Sequence, residues 1–186
     1  MMKTIYLLKS TSRNTCSFIQ DYPDGEESIM GSAVDASWHP FGDKYCAITL
    51  ELRRNDAGKR NYQFDFSSML NPFLVISEDA LTKLDDILKP RGQILPVITE
   101  SKKKFYGYYP TNSLSGCLNM EKSVYRVAER GLIIEKPVLV ASNIVDDYLF
   151  SIDEDISRIF VTDKFKKRVE EAELLGFDFS IEIPTV

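Results

Sequence analysis

Hydrophobic and polar positions follow two periods along this chain, and one combination of them occurs twice. Leu74-Val75-Ile76 is followed by Ser77, by Glu78-Asp79, and then by apolar positions at helical spacing: Ala80, Leu81, Leu84, Ile87 and Leu88. Ile159-Phe160-Val161 is followed by Thr162, by Asp163, and then by Phe165, Val169 and Ala172. Each copy reads as an apolar strand, a hydroxyl residue at a helix N-cap, acid in the first turn and an amphipathic helix. The hydroxyl accepts an orphan backbone N–H, the acid favours the positive end of the helix, and the stripe faces a core. Ile76 and Leu81 stand at the positions of a hydrophobic staple. Pro90 is expected to end the first helix, with a strand over Gln93 to Ile98. Gly176 stands where a left-handed C-cap is expected to close the second, before a closing strand over Phe177 to Ile183. Two copies are too few for a solenoid; they read as two corners of one mixed fold.

Elsewhere the period is two. From Tyr45 to Arg53, Cys46, Ile48, Leu50 and Leu52 fall on one face, the expected buried side of a strand. Asn55-Asp56-Ala57-Gly58 is turn chemistry, and Asn61 to Phe66 alternates again. The pair reads as a hairpin with a long loop. Phe105 to Tyr109, Ser123 to Ala128 and Leu132 to Ala141 are further expected strands, the last two separated by Glu129-Arg130-Gly131. Met1 to Lys9 supplies a first strand. Gln20 to Gly42, rich in Pro, Gly, Asp and Ser, reads as a long loop or a decorated insertion. The expected architecture is α+β: one domain over residues 1–186, with a mixed, mainly antiparallel sheet and the two capped helices.

Composition narrows the class. The chain has 186 residues, 44% hydrophobic and 27% charged, an ordinary globular profile. No stretch approaches the roughly 20 apolar residues that span a bilayer, and Ile5-Tyr6-Leu7-Leu8 is too short for a signal-peptide core. Three scattered cysteines, Cys16, Cys46 and Cys117, point to a reducing compartment, so a cytoplasmic protein is expected. A net charge of −5 argues against nucleic acid as partner and suits a basic one.

Candidate chemistry is sparse. His39 is the only histidine, which excludes a two-histidine metal site. A Ser/His/Asp relay has to use it, and no G-x-S-x-G elbow presents a serine. No glycine-rich phosphate loop occurs. Asp146, Asp147, Asp153, Glu154 and Asp155 cluster in sequence; they read as a solvated acidic turn, as a patch facing a partner, or as a carboxylate site for a hard cation whose spacing fits no EF-hand. Lys102-Lys103-Lys104 precedes Phe105-Tyr106-Gly107-Tyr108-Tyr109, either a basic–aromatic face for single strands or a charged turn entering a strand. No metal, cofactor or catalytic set is expected.

Several ordered stretches carry a resemblance: Phe64-Asp65-Phe66, Phe73-Leu74-Val75-Ile76-Ser77-Glu78, Ile94-Leu95-Pro96-Val97 and Tyr108-Tyr109-Pro110-Thr111-Asn112. Cys117-Leu118-Asn119-Met120-Glu121-Lys122-Ser123, Leu149-Phe150-Ser151-Ile152, Ile159-Phe160-Val161-Thr162-Asp163 and Leu175-Gly176-Phe177-Asp178-Phe179 follow in order. Over roughly residues 60–180 the chain resembles a bacterial family first described as a domain of unknown function and now as immunity protein family eleven of polymorphic toxin systems. The first 60 residues match chiefly through Trp38, and Asn119 stands where the family pattern has Asp. The resemblance implies a non-catalytic cytoplasmic protein that neutralises a cognate toxin by direct binding. It assigns no site residue; the acidic run is the expected contact. The alternatives are a small-molecule or peptide-binding module, or an enzyme lacking recognisable motifs.

Overall fold

The N-terminal strand pieces β1 (Ile5–Leu7), β2 (Lys9–Ser10) and β3 (Ser17–Asp21) lead into helix α1 (Ile29–Ala36) and strand β4 (Ile48–Arg53). The first repeated unit follows as β5 (Phe66–Ser67), β6 (Leu74–Ser77), α2 (Glu78–Lys83) and α3 (Asp85–Leu88). A 3-10 turn then enters β7 (Gly92–Ile98), β8 (Phe105–Pro110), β9 (Ser113–Leu114), β10 (Val124–Ala128) and β11 (Gly131–Lys136). The second unit is β12 (Leu149–Ile152), β13 (Asp155–Thr162) and α4 (Asp163–Glu171), closed by β14 (Phe177–Asp178) and β15 (Glu182–Ile183). This computed structural model describes residues 2–11, 15–22, 27–55, 57–58 and 60–186. Asp56 of the expected turn lies outside the described residues.

The fold is α+β with mainly antiparallel pairing, but the strands divide among four sheets of described residues rather than one. Six strands run in the order β3-β4-β7-β8-β6-β5 and five in the order β15-β1-β13-β12-β9; β14-β2 and β10-β11 are two-stranded ribbons. Among the strand pairs of the described residues, β4–β7 and β9–β12 are parallel. The six-stranded sheet curls until its first and last strands meet, where the Phe18 N–H donates to Ser67 Oγ at 3.2 Å. Ser10 and Ser68 exchange backbone-to-hydroxyl bonds of 2.8 and 3.0 Å beside this seam. The aromatic rings of Phe18, Phe64 and Phe105 fill the curl with centroids 4.9–5.3 Å apart. Alternation along β13 feeds two cores: Ile159 and Val161 enter the large one, and Phe160 enters a smaller one with Ile5, Phe150 and Leu139. At Gly107 a Cβ would sit 2.2 Å from the Phe73 ring, so only glycine lets β8 pass that close.

Both caps form as the pattern predicts, but the first helix is broken: α2 stops at Lys83, Leu84 leaves the helical conformation, α3 resumes over Asp85–Leu88, and Pro90 lies inside the 3-10 turn Lys89–Arg91 instead of ending a continuous helix. The Ala80 N–H donates to Ser77 Oγ at 3.0 Å and the Phe165 N–H to Thr162 Oγ1 at 3.4 Å, and each helix begins at the next residue. Ala80, Leu84, Ile87 and Leu88 are buried, as are Phe165 and Val169. The units also touch: Arg168 grips Asp86 with two bonds of 2.8–2.9 Å and reaches the Lys83 carbonyl, while Lys83 Nζ donates to the Ala172 carbonyl.

Five further expectations are corrected. Residues 45–47 precede the strand, so the buried alternation begins at Ile48 and Cys46 is exposed. Residues 60–64 form no strand; β4 pairs with β3 and β7, and Phe66–Ser67 pairs with β6. The supposed loop from Gln20 carries α1, whose Ser28 Oγ accepts the Gly31 N–H at 3.3 Å. The close of α4 is made by Glu173 at φ 54°, not by Gly176, with Leu174 N–H reaching back to the Val169 carbonyl in a Schellman arrangement. Gly176 takes φ 98° for another reason: a Cβ there would meet the Phe66 carbonyl at 2.9 Å. The single closing strand is two short ones, which pair with β2 and β1.

The two caps differ in what else they hold. Ser77 Oγ also donates to Asp65 Oδ1 at 2.6 Å, whereas Thr162 Oγ1 donates to the Asp147 carbonyl. Ser77→Ala is expected to lose about 2 kcal/mol in urea titration, a cap plus a bond to a charged acceptor. Thr162→Ala is expected to lose about 1 kcal/mol. Equal losses would mean that the Asp65 bond adds nothing.

Candidate functional site

The acidic run does not form one surface. Asp146 and Asp147 lie in the segment entering β12, and Asp153 and Glu154 form the turn between β12 and β13, with Asp155 opening β13. Their environments differ sharply. Asp146 is drawn inward: Arg91 Nε donates to both carboxylate oxygens at 2.9–3.0 Å. Asn112 Nδ2 and the Tyr148 and Leu149 N–H groups complete its shell. The Arg91 guanidinium also lies 5.2 Å from the Tyr148 ring centre. Asp155 is 4% exposed; it accepts from Ser157 N–H and Oγ, the Arg158 N–H and Arg158 Nη1. These two carboxylates are internal fasteners with their donors supplied.

The other three sit at or near the surface. Asp147 pairs with Lys3 at 2.9 Å and Lys164 at 3.1 Å, and their hydrogen bonds hold its carboxyl below the usual range. Asp153 accepts the hydroxyls of Ser113 and of Ser115, the latter at 2.6 Å. Those two bonds lower its pKa, and the nearby His39 adds a smaller electrostatic contribution. Glu154 is half-buried, and its Oε2 is sheltered with no hydrogen-bond partner among the described residues. An acceptor without a donor is unfavourable and calls for an explanation.

The turn is held in place from α1. Trp38 Nε1 donates to the carbonyls of Ile152 and Asp155 at 3.2 and 3.0 Å. Trp38 in turn takes its N–H to Tyr109 Oη, which donates to the Ala33 carbonyl. Trp38 sits at φ 66° and Ser37 at φ 47°, left-handed conformations that bring the indole back under the turn. Sequence reasoning missed this support, because neither α1 nor its left-handed exit has a strong pattern.

The structure thus brings His39, Asp153, Ser113 and Ser115 to one region, but not as a proton relay. The serine hydroxyls go to the aspartate directly, and His39 Nδ1 faces the Ala36 carbonyl at 3.0 Å. A relay needs the imidazole between hydroxyl and carboxylate. Burial, reinforced by Glu154 and Asp153, pushes the Cys117 thiol up to about 11, away from the thiolate that acts as nucleophile. No group of three or more His, Cys, Asp or Glu side chains among the described residues is placed to hold a metal ion. This arrangement presents negative charge on a rigid support.

The lysine–aromatic segment is likewise turned to internal use. Lys103 Nζ donates to Asp65 Oδ1 and the Phe64 carbonyl, both at 2.9 Å. Phe105, Tyr108 and Tyr109 are buried, so their faces are not a platform for bases. No helix among the described residues is long and apolar enough to cross a membrane.

The chain matches no family model, and no curated protein matches it. The resemblance to the immunity family rests on the ordered motifs alone.

The division of the acids has a measurable consequence. Asp155→Ser removes an acceptor from four donors and leaves Arg158 without its partner; a loss of about 2 kcal/mol in urea titration is expected. The Asp153→Ser, Glu154→Ser double variant is expected to stay within about 0.5 kcal/mol of the parent. The reverse order would show that Asp155 is not a fastener.

Proposed function

We infer that the protein is a non-catalytic binding protein that neutralises a cognate toxin by direct contact, with a basic surface of that toxin meeting the β12–β13 turn. The motif order described above suggests the class of partner. The observation that carries the contact is at the turn: Asp153 is exposed there, its carboxylate positioned by the Ser113 and Ser115 hydroxyls. A lysine or arginine from a partner adds a charge-assisted bond to that carboxylate. Trp38 fixes the turn from behind, so little ordering is needed on association.

The neighbouring ribbon fits an interface with an apolar part and a charged rim. Val127 is 79% exposed and Val124 and Ile133 are also exposed on β10 and β11. Arg130 at the ribbon's tip lies 3.7 Å from Asp35 at the end of α1, on the helix that leads into Trp38. Charge at such a surface chiefly sets association rate and specificity.

Co-expression with the product of the adjacent reading frame tests both parts. The protein is expected to protect cells and to co-purify with that product. The Asp153→Ser, Glu154→Ser variant is expected to associate more slowly, with a flatter salt dependence. An unchanged rate and salt slope would remove the turn from the interface; failure to protect would remove the immunity reading itself.

A further inference from the structure

Strand β4 outruns one of its neighbours. It pairs with β3 along residues 49–53, but with β7 at Ile48 and Thr49 alone, because β7 stops opposite Thr49 at Ile98. Over residues 50–53 one side of β4 is therefore a sheet edge. A groove of about 400 Å³ lies along it, lined by Leu50, Glu51 and Leu52 of the strand.

The register tells which backbone groups face this groove. The Phe18 N–H donates to Ser67 Oγ of β5, which meets β3 on the side away from β4. Phe18 lies directly opposite Leu52. Opposite residues of an antiparallel pair exchange both backbone bonds or neither. The Leu52 N–H and carbonyl therefore also point away from the pair, to the side where β7 has ended. Among the described residues no hydrogen bond engages either group, although Leu52 is 6% exposed. Sheltered backbone groups without partners are rare, and a free edge is a template for one more strand.

Side chains narrow what such a strand carries. Leu50 and Leu52 are buried and Glu51 between them is exposed, so a strand laid beside them has one apolar and one solvent-facing row. On the apolar side Tyr62 completes the wall. Asp21, Glu51 and Glu100 also line the groove and form no ion pair among the described residues, and Arg60 opposes them, likewise unpaired. Three carboxylates against one guanidinium leave the groove negative.

We propose that this groove takes an extended, basic segment of a partner protein, added as a strand in the lane that β7 vacates. Its lysine or arginine side chains lie beside Glu51 and its apolar ones turn toward Leu52 and Tyr62. The β7–β8 turn borders the groove at one end of β8, whereas Ser113, which holds Asp153, follows the other end. The site thus stands or falls separately from the toxin-binding reading.

The experiment is amide-resolved NMR of the full chain with hydrogen exchange. In the free chain the Glu51 amide, paired with Ile19 of β3, is expected to be protected and the Leu52 amide is not. Three capped peptides serve as probes: one alternating lysine and valine, its glutamate–valine counterpart, and the lysine–valine peptide N-methylated on alternate residues. The first is expected to give saturable shifts at Leu50, Glu51 and Leu52 and to slow Leu52 exchange about fivefold or more, the scale of one hydrogen bond. Glu51→Lys is expected to weaken it about fivefold, the scale of one exposed ion pair, at an unchanged urea midpoint, and Glu100→Lys to act in the same direction. Leu52 protection in the free chain, absence of saturable shifts, shifts centred elsewhere, or equal binding of the N-methylated peptide overturns the strand-addition site. Leu52 protection that appears only as the chain's own concentration rises gives the edge to a second copy and overturns the assignment to a partner. Equal affinity for the lysine and glutamate peptides overturns its basic character.

Discussion

One buried carboxylate joins four separate stretches of this chain. Asp65 is 5% exposed, and burial by itself opposes ionisation. The Leu175 N–H, the Ser77 hydroxyl and Lys103 Nζ nevertheless all donate to it, at 2.6–2.9 Å. Together they hold its carboxyl below the ordinary range. Its backbone is used as well: its N–H goes to the Leu175 carbonyl and its carbonyl takes the Ser77 N–H. The entry to β5, the cap of α2, the lysine turn before β8 and the exit from α4 therefore share one anchor. That exit needs the left-handed Glu173 and the close approach of Gly176 to Phe66. The start of the first unit's helix and the exit from the second's thereby meet at one carboxylate.

The units were legible because everything that specifies them is local. A hydroxyl, acid in the first turn and a 3.6-residue stripe lie within a few residues of each other, and the caps form at Ser77 and Thr162. What escaped the sequence depends on distant partners. The alternation before and after Asn55 suggests a hairpin, but β4 finds its neighbours in β3 and in the later strand β7. Cys46 continues the apolar phase of β4 in sequence, yet the strand begins two residues later, so phase alone misplaced it. Helix α1 buries only Ile29 and Ala33, too short a stripe to stand out among Pro, Gly and Ser. The acidic run mixes the two cases: Asp155 is enclosed by its near neighbours Ser157 and Arg158, which a count of charges overlooks, whereas Asp153 takes its partners Ser113 and Ser115 from a distant strand segment.

The same economy shapes the candidate surfaces. Polar side chains that sequence patterning would assign to solvent, Lys103, Arg91 and Gln93 among them, are spent on fixing backbone. Trp38 does this for the β12–β13 turn, and Gln20 for the start of α1. Among the described residues, Asp153 on the β12–β13 turn and Val127 on the nearby β10–β11 ribbon remain exposed on such rigid mounts. A protein whose role is to bind gains from such mounts, since association then orders few additional degrees of freedom.

The fold depends most directly on Asp65 being ionised and anchored in the folded state. A group with a depressed folded pKa contributes stability above its unfolded value, and that contribution fades as pH falls through the folded value. The decisive measurement is the urea stability of parent and Asp65→Asn across acidic to neutral pH. The difference is expected to be about 2 kcal/mol near neutrality, the scale of hydrogen bonds to a charged group. It is expected to shrink as pH drops below the ordinary carboxyl value of 3.8. A variant as stable as the parent at neutral pH, or a difference that persists unchanged into strong acid, would contradict it.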